Sequence, residues 1–236
     1  MEPESSLRER LIDVGVDLVT TEGAGSLGLR EIARRAGVSH GAPRRYFPTH
    51  QALLSAIARR GFAELGARFA AALDRPAPPR ARLRAAGRTY VGYALANRGM
   101  FELMFRHDLL AGDVPAGDPP DGGQGRVAGA DPADGHRPLR ESTRPLFALL
   151  TALVADHLAA TGRQPGRPGA PDPALAAAAL WTNLHGIAQL WTWGSLQLVL
   201  DTAPPPGRAP APDDPSALLD RLLDAALDAH LGPADA

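Results

Sequence analysis

An all-helical chain is what this sequence predicts, on three observations. Apolar residues recur at helical spacing, as at Leu7, Leu11, Val14 and Leu18. No stretch alternates apolar and polar residues with the period of two that a half-buried strand requires, and β-branched residues are sparse. Proline, 23 of 236 residues, gathers between the periodic segments, where it disfavours helix both at itself and just before it.

The first helix is expected to stop at Gly23. A second spans about Leu29 to Ala36, with Gly28 as its N-cap and Glu31 as the acidic half of a capping box. Ser39 is a good N-cap for a third, ending near Phe47-Pro48. Thr49 then caps a longer helix carrying Leu53, Leu54, Ile57, Phe62, Leu65 and Phe69, to about Leu73. Residues 74–79 (Asp-Arg-Pro-Ala-Pro-Pro) break the pattern, and helices resume over Arg80–Ala96 and Met100–Leu110. Residues 111–138, rich in Gly, Pro and Asp and almost without apolar side chains, are expected to form a mobile loop. Arg140–Ala160, Pro173–Leu200 and Pro215–Leu231 complete the set, separated by proline-rich joints at Arg163–Pro171 and Ala203–Pro215.

Composition bounds the function. The chain is long enough to bury a real core, and its hydrophobic content of 44% is ordinary for a globular protein. It has no cysteine, no apolar run of membrane-spanning length and no signal-peptide layout at Met1–Ser6, so a cytoplasmic, nucleoid-associated protein is expected. All 25 basic residues are arginine. The formal charge of −1 hides an uneven distribution. Residues 28–60 carry seven arginines against Glu31 alone, a net of +6, while residues 1–27 sum to −4 and the remainder to −3. One basic patch of this kind is the expected footprint of phosphate binding.

That patch coincides with a helix-turn-helix pattern. Ala33 and Ala36 are small where two helices must approach, Gly37 permits the turn, and Ile32, Val38 and Ala42 supply a buried seam. Ser39, His40, Gly41, Arg44, Arg45 and Tyr46 are left for the exposed face. Arginine can donate two parallel hydrogen bonds to guanine, and Tyr46 can reach a phosphate oxygen. Backbone N–H groups near Ser39 and Thr49 offer further anion sites. With Arg30, Ala42, Thr49 and His50, these residues form the expected contact set for double-stranded DNA. The alternative is a helical adaptor whose basic helices bind another protein; it predicts no salt-dependent DNA affinity, whereas DNA binding predicts a steep loss with salt.

The segment Arg30-Glu-Ile-Ala-Arg-Arg-Ala-Gly-Val-Ser39, then Gly41-Ala42, Tyr46-Phe47 and the run to Leu54, resembles the DNA-binding domain of TetR-type transcriptional regulators over residues 6–54. The pattern departs at Pro43, where the family carries an aliphatic residue, at Arg44 and Arg45, and at His50, where it carries a lysine. The resemblance implies a homodimer in which a three-helix DNA-binding domain (residues 1–50) is joined by a long helix to a helical ligand-binding and dimerisation domain (residues 51–236). It further implies a repressor that binds a palindromic operator and is released by a small, apolar effector. Asn97–Phe105 and Trp181-Thr-Asn-Leu-His185-Gly186 resemble one branch of the C-terminal domains, with a Trp-x-x-x-His-Gly signature. In that light Tyr93, Phe101, Met104, Phe105, Phe147, Trp181 and His185 are the candidate effector wall, with His185 as its polar handle. The same residues are open to the plainer reading of packed core.

Enzymatic chemistry finds no support. His107-Asp108, Asp156-His157 and Asp228/His230 are poor catalytic pairs, because neighbours on a helix point about 100° apart. No His-x-x-x-His spacing offers a metal site, and no glycine-rich phosphate loop follows a strand. No enzyme, metal or cofactor is expected.

Overall fold

A computed structural model describes residues 4–106, 139–163, 170–200 and 215–233, and every regular element among them is helical. The helices are α1 (Glu4–Glu22), α2 (Leu29–Arg35), α3 (His50–Ala72), α4 (Pro79–Ala96), α5 (Arg98–Phe105), α6 (Arg140–Ala160), α7 (Pro173–Thr192), α8 (Ser195–Val199) and α9 (Pro215–Leu231). Single 3-10 turns lie at Ala24–Ser26 and Ala42–Arg45. The expected loop at 111–138, the His107-Asp108 pair and most of the two proline-rich joints lie outside the described residues.

Helix ends follow local chemistry. Gly23 stops α1 with a φ of 86°, and Thr49 Oγ1 accepts the Ala52 N–H at 3.0 Å to cap α3. Asp172 caps α7 by accepting from Ala174 N–H at 2.7 Å, with Pro173 in the first turn, where its missing N–H costs nothing. The expected helix over Pro173–Leu200 is divided in two. Gly194, at φ 77°, turns the chain out of helical geometry and separates α7 from α8.

The third expected helix, from Ser39 to Phe47, is cut to the 3-10 turn Ala42–Arg45. Two prolines account for this. Pro43 has no N–H to donate, and Pro48 disfavours helical backbone at Phe47, so one turn is all the segment accommodates. The capping box also fails to form, since Glu31 turns toward Arg34 and Arg35 instead.

The described residues divide into two compact units, with boundaries inside α3 after residue 64, between α4 and α5, and near the start of α6. In the first unit α1, α2, α5 and the first part of α3 enclose Leu11, Leu18, Ile32, Phe47, Leu53, Ile57, Leu103 and Met104, all nearly solvent-free. Each such side chain contributes roughly 1.5–3 kcal/mol of burial. α5 lies so close to α1 that a β-carbon on Gly99 would fall on the Val19 carbonyl, so only glycine serves there. In the second unit α4, α7 and α9 meet at Gly87, where Leu184 and Leu223 pack over the bare backbone. Grouping α5 with α1 extends the N-terminal unit beyond the expected 50-residue head.

Candidate functional site

The groove-reading element is set by the end of α2. Gly37 adopts φ 69°, its N–H bonds the Arg34 carbonyl at 3.2 Å, and the Val38 N–H reaches the Ala33 carbonyl at 3.0 Å. This closes α2 with a Schellman cap and throws the chain sharply into residues 39–41. Behind the following 3-10 turn, Pro43 is buried and Phe47 is 2% exposed. The Arg8 guanidinium of α1 lies over the Phe47 ring at 5.6 Å. The buried side of the turn is thereby anchored, and Arg44 and Arg45 project outward.

Gly28, Leu29, Arg30, His40, Gly41, Arg44 and His50 line an open concavity of about 630 Å³. Five of these seven belong to the set read from the sequence, and Gly28 and Leu29 are the additions. Ser39, Arg45 and Thr49 are exposed nearby in the sequence, and Ala42 and Tyr46 are half-buried. His50 has a structural duty as well, because its Nε2 bonds the Leu27 carbonyl and ties the start of α3 to the turn before α2.

Charge pairing narrows the basic patch. Arg34 and Arg35 both donate to Glu31, Arg35 also bonds Glu22, and Arg60 pairs with Glu9 and Asp13. Hydrogen bonds from Arg34 first and Arg35 second pull the Glu31 carboxyl down to about 2. Arg30, Arg44 and Arg45 make no ion pair among the described residues. The unneutralised positive charge therefore centres on the rim of the concavity, where a polyanion can supply the missing partners.

The residues expected to form an effector wall are divided between the units. Phe101, Met104 and Phe105 belong to the first. Phe105 packs edge-on to Phe62 with ring centroids 5.7 Å apart, Phe101 lies 4.9 Å from Phe105, and Met104 covers Gly61. Tyr93, Phe147, Trp181 and His185 belong to the second. Tyr93 is buried, with the Arg68 guanidinium 5.1 Å from its ring centre, and Phe147 is 39% exposed on α6. Trp181 and His185 are joined through Tyr90, a residue of α4 absent from the expected wall. Trp181 Nε1–H donates to the Tyr90 hydroxyl at 3.1 Å, and that hydroxyl shares a hydrogen bond with His185 Nδ1 at 2.8 Å. Burial pushes the Tyr90 hydroxyl up and the His185 imidazole down, so both stay neutral near pH 7. The sequence signal for Tyr90 was only an aromatic on α4, since its partners lie 91 and 95 residues away.

A second feature escaped the sequence reading. Arg80, Arg84 and Arg88 on α4 pair with Asp228, Asp224 and Asp220 on α9, an antiparallel ladder with a four-residue step on each helix. The middle rung is bidentate, at 2.6 and 2.8 Å. The end of α9 is held too: Arg80 reaches the Gly232 carbonyl at 2.7 Å, and Arg163 the Leu231 carbonyl at 3.0 Å. Among the described residues no group of three His, Cys, Asp or Glu side chains could hold a metal ion, and no helix is long and apolar enough to cross a membrane.

Residues 11–57 match the model of the family "Bacterial regulatory proteins, tetR family", and residues 83–205 match "Tetracyclin repressor-like, C-terminal domain". No curated protein sequence matches the chain. Among solved structures, a Rhodococcus sp. RHA1 protein of unknown function is 28% identical with a TM-score of 0.64, covering 98% of this chain and 97% of that one. FadR of Bacillus subtilis in complex with stearoyl-CoA aligns at 14% identity and a TM-score of 0.57, over 95% of this chain and 98% of its own. RolR in complex with resorcinol aligns at 20% identity and 0.59, over 98% and 89%.

Proposed function

The chain belongs to the TetR family of bacterial regulatory proteins, and on that premise we propose that it is a ligand-responsive repressor that binds a palindromic DNA operator as a homodimer. The observation that carries the reading is the exposed concavity at Gly28–Arg30, His40-Gly41, Arg44 and His50, rimmed by arginines without acidic partners. Arg44 and Arg45, just past a sharp turn, suit guanine edges, and Arg30 suits the phosphate backbone. Ser39, His40, Gly41 and Ala42 form the docking edge, with Tyr46, Thr49 and His50 beside it.

Two recognition elements reach successive major grooves only when a two-fold axis spaces them by about 34–36 Å. The second unit carries what a twin would cover: Leu175 is 71% exposed, Trp193 67%, Leu198 76% and Val199 80%. Apolar side chains this exposed favour burial against another copy. The effector reading rests on the Trp181–Tyr90–His185 chain, which mixes ring surface with one titratable handle, and on the organic ligands held by FadR and RolR, two proteins of the same fold. An effector preferring a dimer whose recognition elements no longer match the grooves weakens DNA binding, and DNA weakens effector binding by the same factor.

Footprinting of the purified protein on DNA upstream of its own gene tests the reading. Two protected half-sites one helical turn apart, with affinity falling steeply as salt rises, are expected. Absence of protection, or affinity indifferent to salt, would favour the adaptor reading.

A further inference from the structure

Arg30 and Arg34 are one helical turn apart on α2 and share a face, and Arg30 lines the concavity. Arg34 should extend the phosphate-binding edge by one cation. Instead its fork is closed on Glu31, three residues earlier, with Nε to Oε2 at 2.8 Å and Nη2 to Oε1 at 2.5 Å. Arg35 differs. It divides its donors between Glu31 and Glu22, so it fastens α2 to the end of α1. The Arg34–Glu31 pair joins two neighbours on one turn and fastens α2 to nothing else.

Resting on the DNA reading above, we propose that Glu31 is a specificity-determining residue of the DNA-binding surface: its carboxylate fills the Arg34 fork as an internal stand-in for a backbone phosphate and so restrains sequence-independent binding. Carboxylate and phosphate present the same paired oxygens to a guanidinium. An exposed i, i+3 pair, with side chains 65% and 32% accessible, is weak enough for a phosphate to displace. DNA of any sequence then meets a neutral pair where a free cation would stand. A true operator, held also by base contacts from Arg44 and Arg45, loses proportionately less. The Glu31 carboxyl, held at about 2, stays ionised throughout the neutral range, so the restraint is constant there.

The test compares the full-length protein with Glu31→Gln, Arg34→Ala and the double variant, binding a short mixed-sequence DNA duplex across a salt series. Glu31→Gln is expected to bind severalfold more tightly at low salt, with the slope of log K against log salt steeper by about 0.9, one more phosphate neutralised. Arg34→Ala is expected to keep close to the wild-type slope and to abolish the gain in the double variant. Weaker binding or an unchanged slope in Glu31→Gln overturns the proposal, as does a gain that persists without Arg34. A merely structural role for Glu31 would lower affinity rather than raise it. Glu31→Ala supplies the same comparison if the glutamine variant melts early. If the wild-type protein binds no duplex at any salt, the DNA reading fails and this proposal falls with it, whereas wild-type binding with no gain in Glu31→Gln overturns this proposal alone.

Discussion

Two rows of arginines in this chain have the same side chain and opposite uses. Arg30 and Arg44 line an open concavity, Arg45 is exposed next to Arg44 in the sequence, and none of the three has an acidic partner among the described residues, while Arg80, Arg84 and Arg88 each meet an aspartate of α9. The difference lies in the facing element. Helix α9 repeats Leu-Asp at residues 219–220, 223–224 and 227–228, so the leucines pack inward while the aspartates keep step with α4. Among the described residues no acidic side chain pairs with the outer row. An arginine in this protein is therefore a strut or an interaction site according to what lies across from it, and arginine content alone separates neither.

Removing Arg30 and Arg44 together should have the largest effect. At about 1–3 kcal/mol for each lost contact, operator binding measured by fluorescence anisotropy should fall by about thirtyfold or more, with the melting temperature unchanged. A lower melting temperature with intact DNA binding would reverse the assignment of the two rows. Next comes Asp224→Ala, which strands Arg84. A loss of about 1 kcal/mol, or about 2–4 °C in a thermal melt, is expected, with DNA affinity preserved. If DNA affinity falls as it does without Arg44, the two rows are not separate in role. A double-mutant cycle on Arg84 and Asp224 should return about 0.2–1 kcal/mol, because both side chains are more than a third exposed, and less at high salt.

Just below neutrality acid should act first through the histidines, because arginine keeps its charge and the carboxylates, Glu31 among them, take up protons only at lower pH. Burial holds His185 and His157 below the ordinary value of 6.5 in the folded chain. As pH falls below 6.5 the unfolded chain takes up protons first, so stability is level above that point and declines beneath it. His185→Gln should flatten the decline seen in denaturant titrations at successive pH values. An unchanged slope would show that His185 does not contribute to it.

Local chemistry was legible. The all-helical class, the stop at Gly23, the Thr49 cap and the turn at Gly37 depend on residues within a few positions of one another, so spacing reveals them. The short recognition turn was legible in principle, because Pro43 and Pro48 stand in plain view, although Ser39 by itself favours the start of a full helix. Pairings across long separations were not. The stripes Arg80-Arg84-Arg88 and Asp220-Asp224-Asp228 are each visible as a four-residue repeat, but that they face one another is not. The division of the aromatic set between two units was hidden for the same reason: helical spacing puts Phe101 and Phe105 on one face and Trp181 and His185 on another, without saying which helix covers each.

By itself, then, the sequence determined the helices, their caps and the location of the basic turn, because backbone hydrogen bonds and proline or glycine restrictions act within one or two turns of chain. Tertiary structure decided which arginines stay open to a polyanion and which aromatics share a unit. Those outcomes depend on the partner that packing brings across a gap of tens of residues, and an ion pair or a ring contact exists only once both sides are in place.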